Sequence, residues 1–99
     1  MSAPPFGRLA AIILASHDGE TVRDAGRTLA RAAPNAHGVK VWGPTPAFIQ
    51  LLRGRTRERL LVQTEKGVDV QAYLRAWLER VKLPGAVRLT VDIDPVSFF

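Results

Sequence analysis

Cysteine is absent from these 99 residues, which removes disulfides, thiolate nucleophiles and cysteine-ligated metals together. Histidine occurs twice, as His17 and His37, each in a stretch that reads as a loop. Nothing supplies a spaced second pair of ligands, so no metal site is expected. No run approaches the ~20 apolar residues that cross a bilayer. The longest, Leu9 to Ala15, is followed by a helix-start pattern and not by the small-residue cleavage site of a signal peptide. Phosphate-cradling glycine patterns are missing too. Lys66-Gly67 lacks the spacing of a Walker loop. No Gly-x-x-Gly pair is present for a KH-type clamp, and no Gly-x-Ser-x-Gly elbow for a hydrolase. An independent enzyme is therefore not expected, nor a membrane partner. The lack of cysteine is compatible with a cytoplasmic location, which is the expectation.

What the chain does have is an excess of base. Fourteen Lys plus Arg stand against nine Asp plus Glu, a formal net charge of +5, and eleven of the fourteen are Arg. Arginine makes forked contacts to phosphate where lysine acts as a point charge. A basic balance of this kind on a small domain suits a nucleic-acid partner. A GC-rich genome, also suggested by the abundant alanine, would produce the same composition without any such partner.

In order, residues 1–7 are Pro-rich and read as a linker or added lead-in. Residues 8–95 read as one α+β domain and 96–99 as a tail ending in Phe98-Phe99. Arg8 to Ala15 is a near-continuous apolar run, as in a strand central in its sheet. The turn cluster Ser16-His17-Asp18-Gly19 introduces a helix from about Glu20 to Ala33, with Val22, Ala25, Leu29, Ala32 and Ala33 on one face. Arg23, Arg27 and Arg31 recur on another face. Asp24 is placed to pair with Arg27, so that stripe reads as solvated. Val39 to Trp42 is a second strand, Gly43-Pro44-Thr45-Pro46 a turn, and Ala47 to Leu52 either a short helical turn or a bulged connection. Arg55 to Gln63 is the third strand. Asp69 caps a second helix that runs to about Lys82, with Val70, Leu74, Trp77, Leu78 and Val81 as its core stripe and Tyr73 flanking it. Val87 to Asp94 alternates cleanly and is the fourth strand. Strand, helix, strand, strand, helix, strand is the split β-α-β, ferredoxin-like plan. It places two helices on one face of a four-stranded antiparallel sheet.

That plan leaves one sheet face open, and the stretch from Lys40 to Leu61 supplies most of it. Side chains alternate with period two along a strand, so Arg55, Arg57 and Arg59 point the same way, joined by Arg53 if the strand starts early. Lys40, Trp42, Arg88 and Thr90 are expected on the same face. The third strand lies next to the second, so Trp42 is placed to stack on one of the arginines. A charged edge ribbon that merely discourages aggregation is the competing reading. Asp92 and Asp94, two apart on one strand, could form an acid-base or cation-binding pair; as polar partners for Arg88 they need no such role. RRM-type recognition needs aromatics on the central strands, and the third strand has none.

Three stretches resemble the C-terminal domain family of the primosomal replication-restart DNA helicase (PriA, primosomal protein N′). They are Pro4-Pro5-Phe6-Gly7-Arg8-Leu9, then Gly43-Pro44-Thr45-Pro46-Ala47 followed by Arg53-Gly54-Arg55-x-Arg57, and the closing Val91-Asp92-Ile93-Asp94-Pro95. The middle one is the most specific. The resemblance implies a ribosomal-protein-like fold that binds DNA at branched forks. It also implies a position beside the site where the acidic, apolar tail of single-stranded DNA-binding protein docks. ATP binding and zinc would belong to the rest of such a helicase, and no cofactor to this part. Family members often carry aromatics near the positions of Thr56 and Glu58. Here those are polar, so phosphate contact is expected ahead of base stacking. Lys66 is the residue expected at the tail-docking position.

The expectation is thus a non-catalytic DNA-binding domain of a replication-restart helicase. Lys40, Trp42, Arg53, Arg55, Arg57, Arg59 and Arg88 would contact forked or single-stranded DNA through backbone phosphates. The alternative is a protein-docking module that braces the helicase core and receives the single-stranded DNA-binding protein tail, with Phe98-Phe99 and the Arg23 to Arg31 stripe as contacts. An RNA-binding ribosomal-type module shares the same fold plan.

Overall fold

The structure is a computed structural model that describes residues 6–52 and 54–93. Its elements are β1 (Phe6–Ser16), α1 (Gly19–Ala32), β2 (Val39–Leu52), β3 (Arg55–Glu65), α2 (Val70–Glu79) and β4 (Arg88–Ile93). The strands form one antiparallel sheet in the order β2-β3-β1-β4, the ferredoxin-like arrangement.

The apolar run of β1 is explained by its central place, paired with β3 on one side and β4 on the other. Ala10, Ile12 and Leu14 are fully buried beneath the helices with Leu60 and Val62 of β3. Asp18 starts α1 by accepting from the Glu20 amide at 3.1 Å and from the Thr21 hydroxyl at 2.8 Å. These bonds, the Thr21 hydroxyl first, hold the Asp18 carboxyl below its usual range. Asp69 starts α2 in the same manner, accepting from the Ala72 amide at 3.0 Å.

The two helices are tied to each other by polar groups inside the core. Trp77 is wholly buried and its indole Nε1 donates to the Leu29 carbonyl at 2.9 Å. Tyr73 is buried as well, not a flanking residue, and its hydroxyl donates to the Pro34 carbonyl at 2.8 Å. Burial pushes the Tyr73 phenol above its ordinary value, with Arg80 pulling weakly the other way. The two rings meet edge to face at 5.8 Å.

The main departure from the sequence reading lies in β2. The chain does not reverse at Gly43–Pro46. It continues as one bulged strand to Leu52, with register shifts between Trp42 and Thr45 and between Pro46 and Leu51. Pro44 and Pro46 cannot donate to a ladder, so the strand is interrupted there without turning back. The reversal comes between Leu52 and Arg55, which pair with each other, and Gly54 takes φ +77°. Arg53 itself lies outside the described residues, as do Asp94 and the Phe98-Phe99 tail. The first shift sets three residues of β2 against two of β3 and switches its side-chain phase. Pro44 is thereby turned onto α1, where a Cβ on Gly26 would sit 3.0 Å from the Pro44 Cβ. The bulge also brings Gly43, at φ +103°, so close to β3 that a Cβ there would lie 2.7 Å from the Arg59 carbonyl oxygen. Only glycine fits that position.

α2 ends at Glu79, earlier than expected, with Arg80 as its cap. The Val81 amide bonds back only three residues, to Leu78, and the chain then extends toward Pro84. At the other edge, β4 buries Leu89, Val91 and Ile93 only halfway, while Arg88, Thr90 and Asp92 are exposed on the opposite side.

Candidate nucleic-acid interface

The open sheet face follows from the alternation of β3. Glu58, Leu60, Val62 and Thr64 are buried on the helix side, and Arg57, Arg59, Leu61 and Gln63 turn the other way. Thr56 and Glu58 therefore lie on the helix side. Their polarity has no bearing on what lines the open face, which corrects the inference drawn from them in the sequence.

Strand register arranges the open face in rows. Lys40 lies opposite Gln63. Trp42, Leu61, Ala11 and Asp92 form the next row, then Thr45, Arg59, Ile13 and Thr90, then Arg57, Ala15 and Arg88. Lys40, Trp42, Arg55, Arg57, Arg59 and Arg88 are thus placed on one surface drawn from three strands, with Asp92 the one carboxylate in those rows. Trp42 is 53% exposed, the large apolar side chain most open to solvent among the described residues. It stands opposite Leu61, not opposite an arginine. Arg88 and Asp92 are four residues apart on one strand, roughly 13 Å, too far for the ion pair expected of them. The expected pair on α1, Asp24 with Arg27, is formed.

Neighbouring arginines on β3 are two residues, about 7 Å, apart. Their mutual repulsion is about 0.6 kcal/mol per pair in water. That is too little to unfold the sheet, and an anion laid between them would offset it.

The rows converge on an open groove of about 650 Å³ at the end of the sheet where β1 finishes. Ile13 and Ala15 form its apolar floor, with Arg55 and Arg57 on one side, Arg88 and Thr90 on the other, and His17 at the end. Arg57 and Arg88 flank Ala15 two strand spacings apart, about 10 Å. That gap admits one phosphate group with a guanidinium donating from each side. The Arg55 Nε–H also reaches the His17 Nε2 at 3.4 Å. His17 was missed as a member of this face. The signal was available: the open-face positions of β1 are 9, 11, 13 and 15, and the same alternation carried one step further lands on 17.

Lys66 does not belong to this site. It is exposed in the turn after β3, eleven residues from Arg55 and so roughly 35 Å away along an extended strand. Among the described residues no three metal-ligating side chains converge. No helix there is long and apolar enough to cross a membrane.

Fold and charge distribution together define a class, a ferredoxin-like α+β domain that presents one open cationic sheet face. The family model described as the primosomal protein N C-terminal domain matches residues 1–96. The replication restart protein PriA of Rickettsia felis is 36% identical over 96 residues, which is 97% of this chain and 15% of that protein. PriA of Rickettsia typhi is 34% identical over the same share. PriA of Treponema pallidum is 29% identical over 97 residues, 95% of this chain and 15% of its own length. This chain belongs to the primosomal protein N C-terminal domain family, and it spans about 15% of the length of the curated relatives it matches.

Proposed function

We propose that this chain binds DNA through its open sheet face, taking the backbone phosphates of single-stranded or forked DNA without reading sequence. One observation carries the reading: Lys40, Arg55, Arg57, Arg59 and Arg88 come from three strands onto a single surface, and Arg55, Arg57 and Arg88 surround an apolar floor there. Guanidinium groups around an apolar floor suit phosphate oxygens and sugar edges, and the contacts are indifferent to base identity. The exposed ring of Trp42 adds a plane on which a base can stack. In a longer polypeptide like its relatives, the chain would act within a cytoplasmic replication-restart helicase, with ATP hydrolysis carried elsewhere in that protein.

The test is binding of the 99-residue chain to labelled single-stranded, duplex and forked DNA of one sequence across a salt series. Affinity should fall steeply with salt. Reversing Arg55, Arg57 and Arg59 to Glu should abolish binding while the circular dichroism spectrum is kept. Unchanged affinity in that folded variant would refute the reading. Stronger binding to RNA of matched sequence would shift it to a ribosomal-type module.

A second reading rests on the position of Lys66. This cation is exposed, far from the groove and in a turn beside the start of α2, so an acidic peptide could engage it while DNA occupies the sheet. Under that reading the chain also receives the tail of single-stranded DNA-binding protein, and other surfaces brace it against the helicase core. A titration with the tail peptide, alone and with the helicase core present, tests it. No loss of affinity in Lys66→Glu would count against it.

A further inference from the structure

The end of the arginine groove is closed by an imidazole. His17 follows the last residue of β1, and its side chain stands at the end of the groove, in line with Ile13 and Ala15. One hydrogen bond reaches it, and the β2–β3 turn lies beside it. Arg55 donates to Nε2 at 3.4 Å, and Nδ1 lies 3.9 Å from where a Cβ on Gly54 would be, so the ring rests against the β2–β3 turn. The Arg55 contact uses the Nε2 lone pair, the acceptor position of an imidazole ring. The charged groups facing it are Arg55 and Arg57 from β3 and Arg88 from β4. From α1, the Arg23 guanidinium lies beside Gly19 and Thr56. The carboxylate next in sequence, Asp18, accepts from Glu20 and Thr21 at the start of α1.

We infer that His17 is a phosphate contact that takes up a proton when DNA binds, so that binding is linked to pH at this one residue. The inference rests on the proposed DNA-binding role of the groove. A phosphate between Arg55, Arg57 and Arg88 would draw the Arg55 guanidinium to itself, freeing Nε2. It would also set negative charge beside the ring, where the imidazolium can donate to it. The proton passes from solvent to Nε2 as the Arg55 hydrogen bond is released, and no covalent bond between heavy atoms changes. Histidine is the side chain suited to this, since its charge changes between pH 5 and 8 while the arginines stay charged throughout.

Calorimetric titration of the 99-residue chain with a single-stranded oligonucleotide, at fixed salt and in two buffers of different ionisation enthalpy, measures the proton uptake directly. Wild type should bind about threefold tighter at pH 6 than at pH 8, the scale of one exposed charge contact, which by linkage is an uptake averaging about a quarter of a proton over that range. His17→Gln keeps an acceptor for Arg55 and should bind with no proton uptake and no such pH dependence. His37→Gln, which alters the other histidine, should behave as wild type. Uptake and pH dependence that persist in His17→Gln would overturn the inference while leaving DNA binding intact. Binding in the wild type with no uptake at any pH would overturn it as well. Absence of binding at low salt across the whole pH range would instead remove the DNA-binding reading on which it stands.

Discussion

Replacing Gly43 with alanine tests how the bulge of β2 is built. Gly43 holds φ +103°, and an added Cβ would meet the Arg59 carbonyl oxygen at 2.7 Å and the Leu60 Cα at 3.3 Å. Two costs follow. The left-handed backbone costs a non-glycine residue about 1–2 kcal/mol. The close approach to β3 adds more, because the atoms struck are backbone and can retreat only by opening the β2–β3 ladder. Crowding of that kind costs about 1–3 kcal/mol. Gly67→Ala separates the two, since Gly67 also has φ +90° but has nothing within 4 Å of its Cβ position. Gly67→Ala should therefore lose only the first increment, and Gly43→Ala about 2–5 kcal/mol in all. For a domain of this size each kcal/mol is about 4–8 °C in Tm, so the two variants should differ by at least ~4 °C. Urea titration followed by circular dichroism, with thermal melts as a second measure, reads both variants against wild type. Equal destabilisation at the two glycines would show that the close packing of Gly43 on β3 has no energetic weight, and the account of the bulge would fail.

Trp77→Phe keeps most of the buried ring but deletes the indole N–H that bonds the Leu29 carbonyl at 2.9 Å; leaving that carbonyl unpaired should cost about 1–3 kcal/mol in urea unfolding. If the five described cations of the open face each meet a phosphate of one DNA strand, log K should fall against log salt with a slope near −3.5. Arg88→Ala should then reduce that slope by about 0.7, and Arg27→Ala, on the helix side, should leave it unchanged. Asp18 has a lowered folded pKa, so its contribution is present above the unfolded carboxylate value and is lost as pH falls through the folded one. The fall in stability as pH drops below the ordinary carboxylate value, followed by urea midpoints, should accordingly be shallower in Asp18→Asn.

Much of this was legible because periodicity and burial are the same fact in a small two-layer domain. The run Leu9 to Ala15 reads as a central strand because β1 is paired on both edges, with Ala10, Ile12 and Leu14 buried under the helices and Ile13 and Ala15 half-buried between the flanking strands. The alternation of Arg55, Arg57 and Arg59 reads as an open face because Leu60 and Val62, which continue the opposite phase beyond them, are apolar. The bulge was not legible. Gly-Pro-Thr-Pro carries the composition of a turn, and only the tertiary fit of Pro44 against Gly26 of α1 makes it an interruption within a strand. Tyr73 was placed at the flank because helical periodicity cannot foresee that its hydroxyl finds the Pro34 carbonyl across a loop. His17 escaped notice for a different reason. A lone histidine in a polar turn has no pattern of its own, and its place is fixed by the strand before it.

The division of labour between the two sheet faces bears on how the groove can vary. Every side chain that anchors the helices, from Ile12 and Leu14 to Leu60, Val62 and Trp77, lies on the opposite side of the sheet from the arginines. Changes at Arg55, Arg57 or Arg88 should therefore alter anion binding with little effect on stability, since surface substitutions away from such packing are usually within about 0.5 kcal/mol. Gly43 is the exception. Its Cβ position abuts the Arg59 carbonyl on β3, so a substitution there acts on the ladder that sets the spacing of the arginines as well as on the fold. Gly43→Ala should thus weaken DNA binding measured well below its melting temperature, where the variant is still folded. Arg88→Ala should do so without lowering Tm. A variant at Gly43 that melts early yet binds as wild type would show that the bulge serves stability alone.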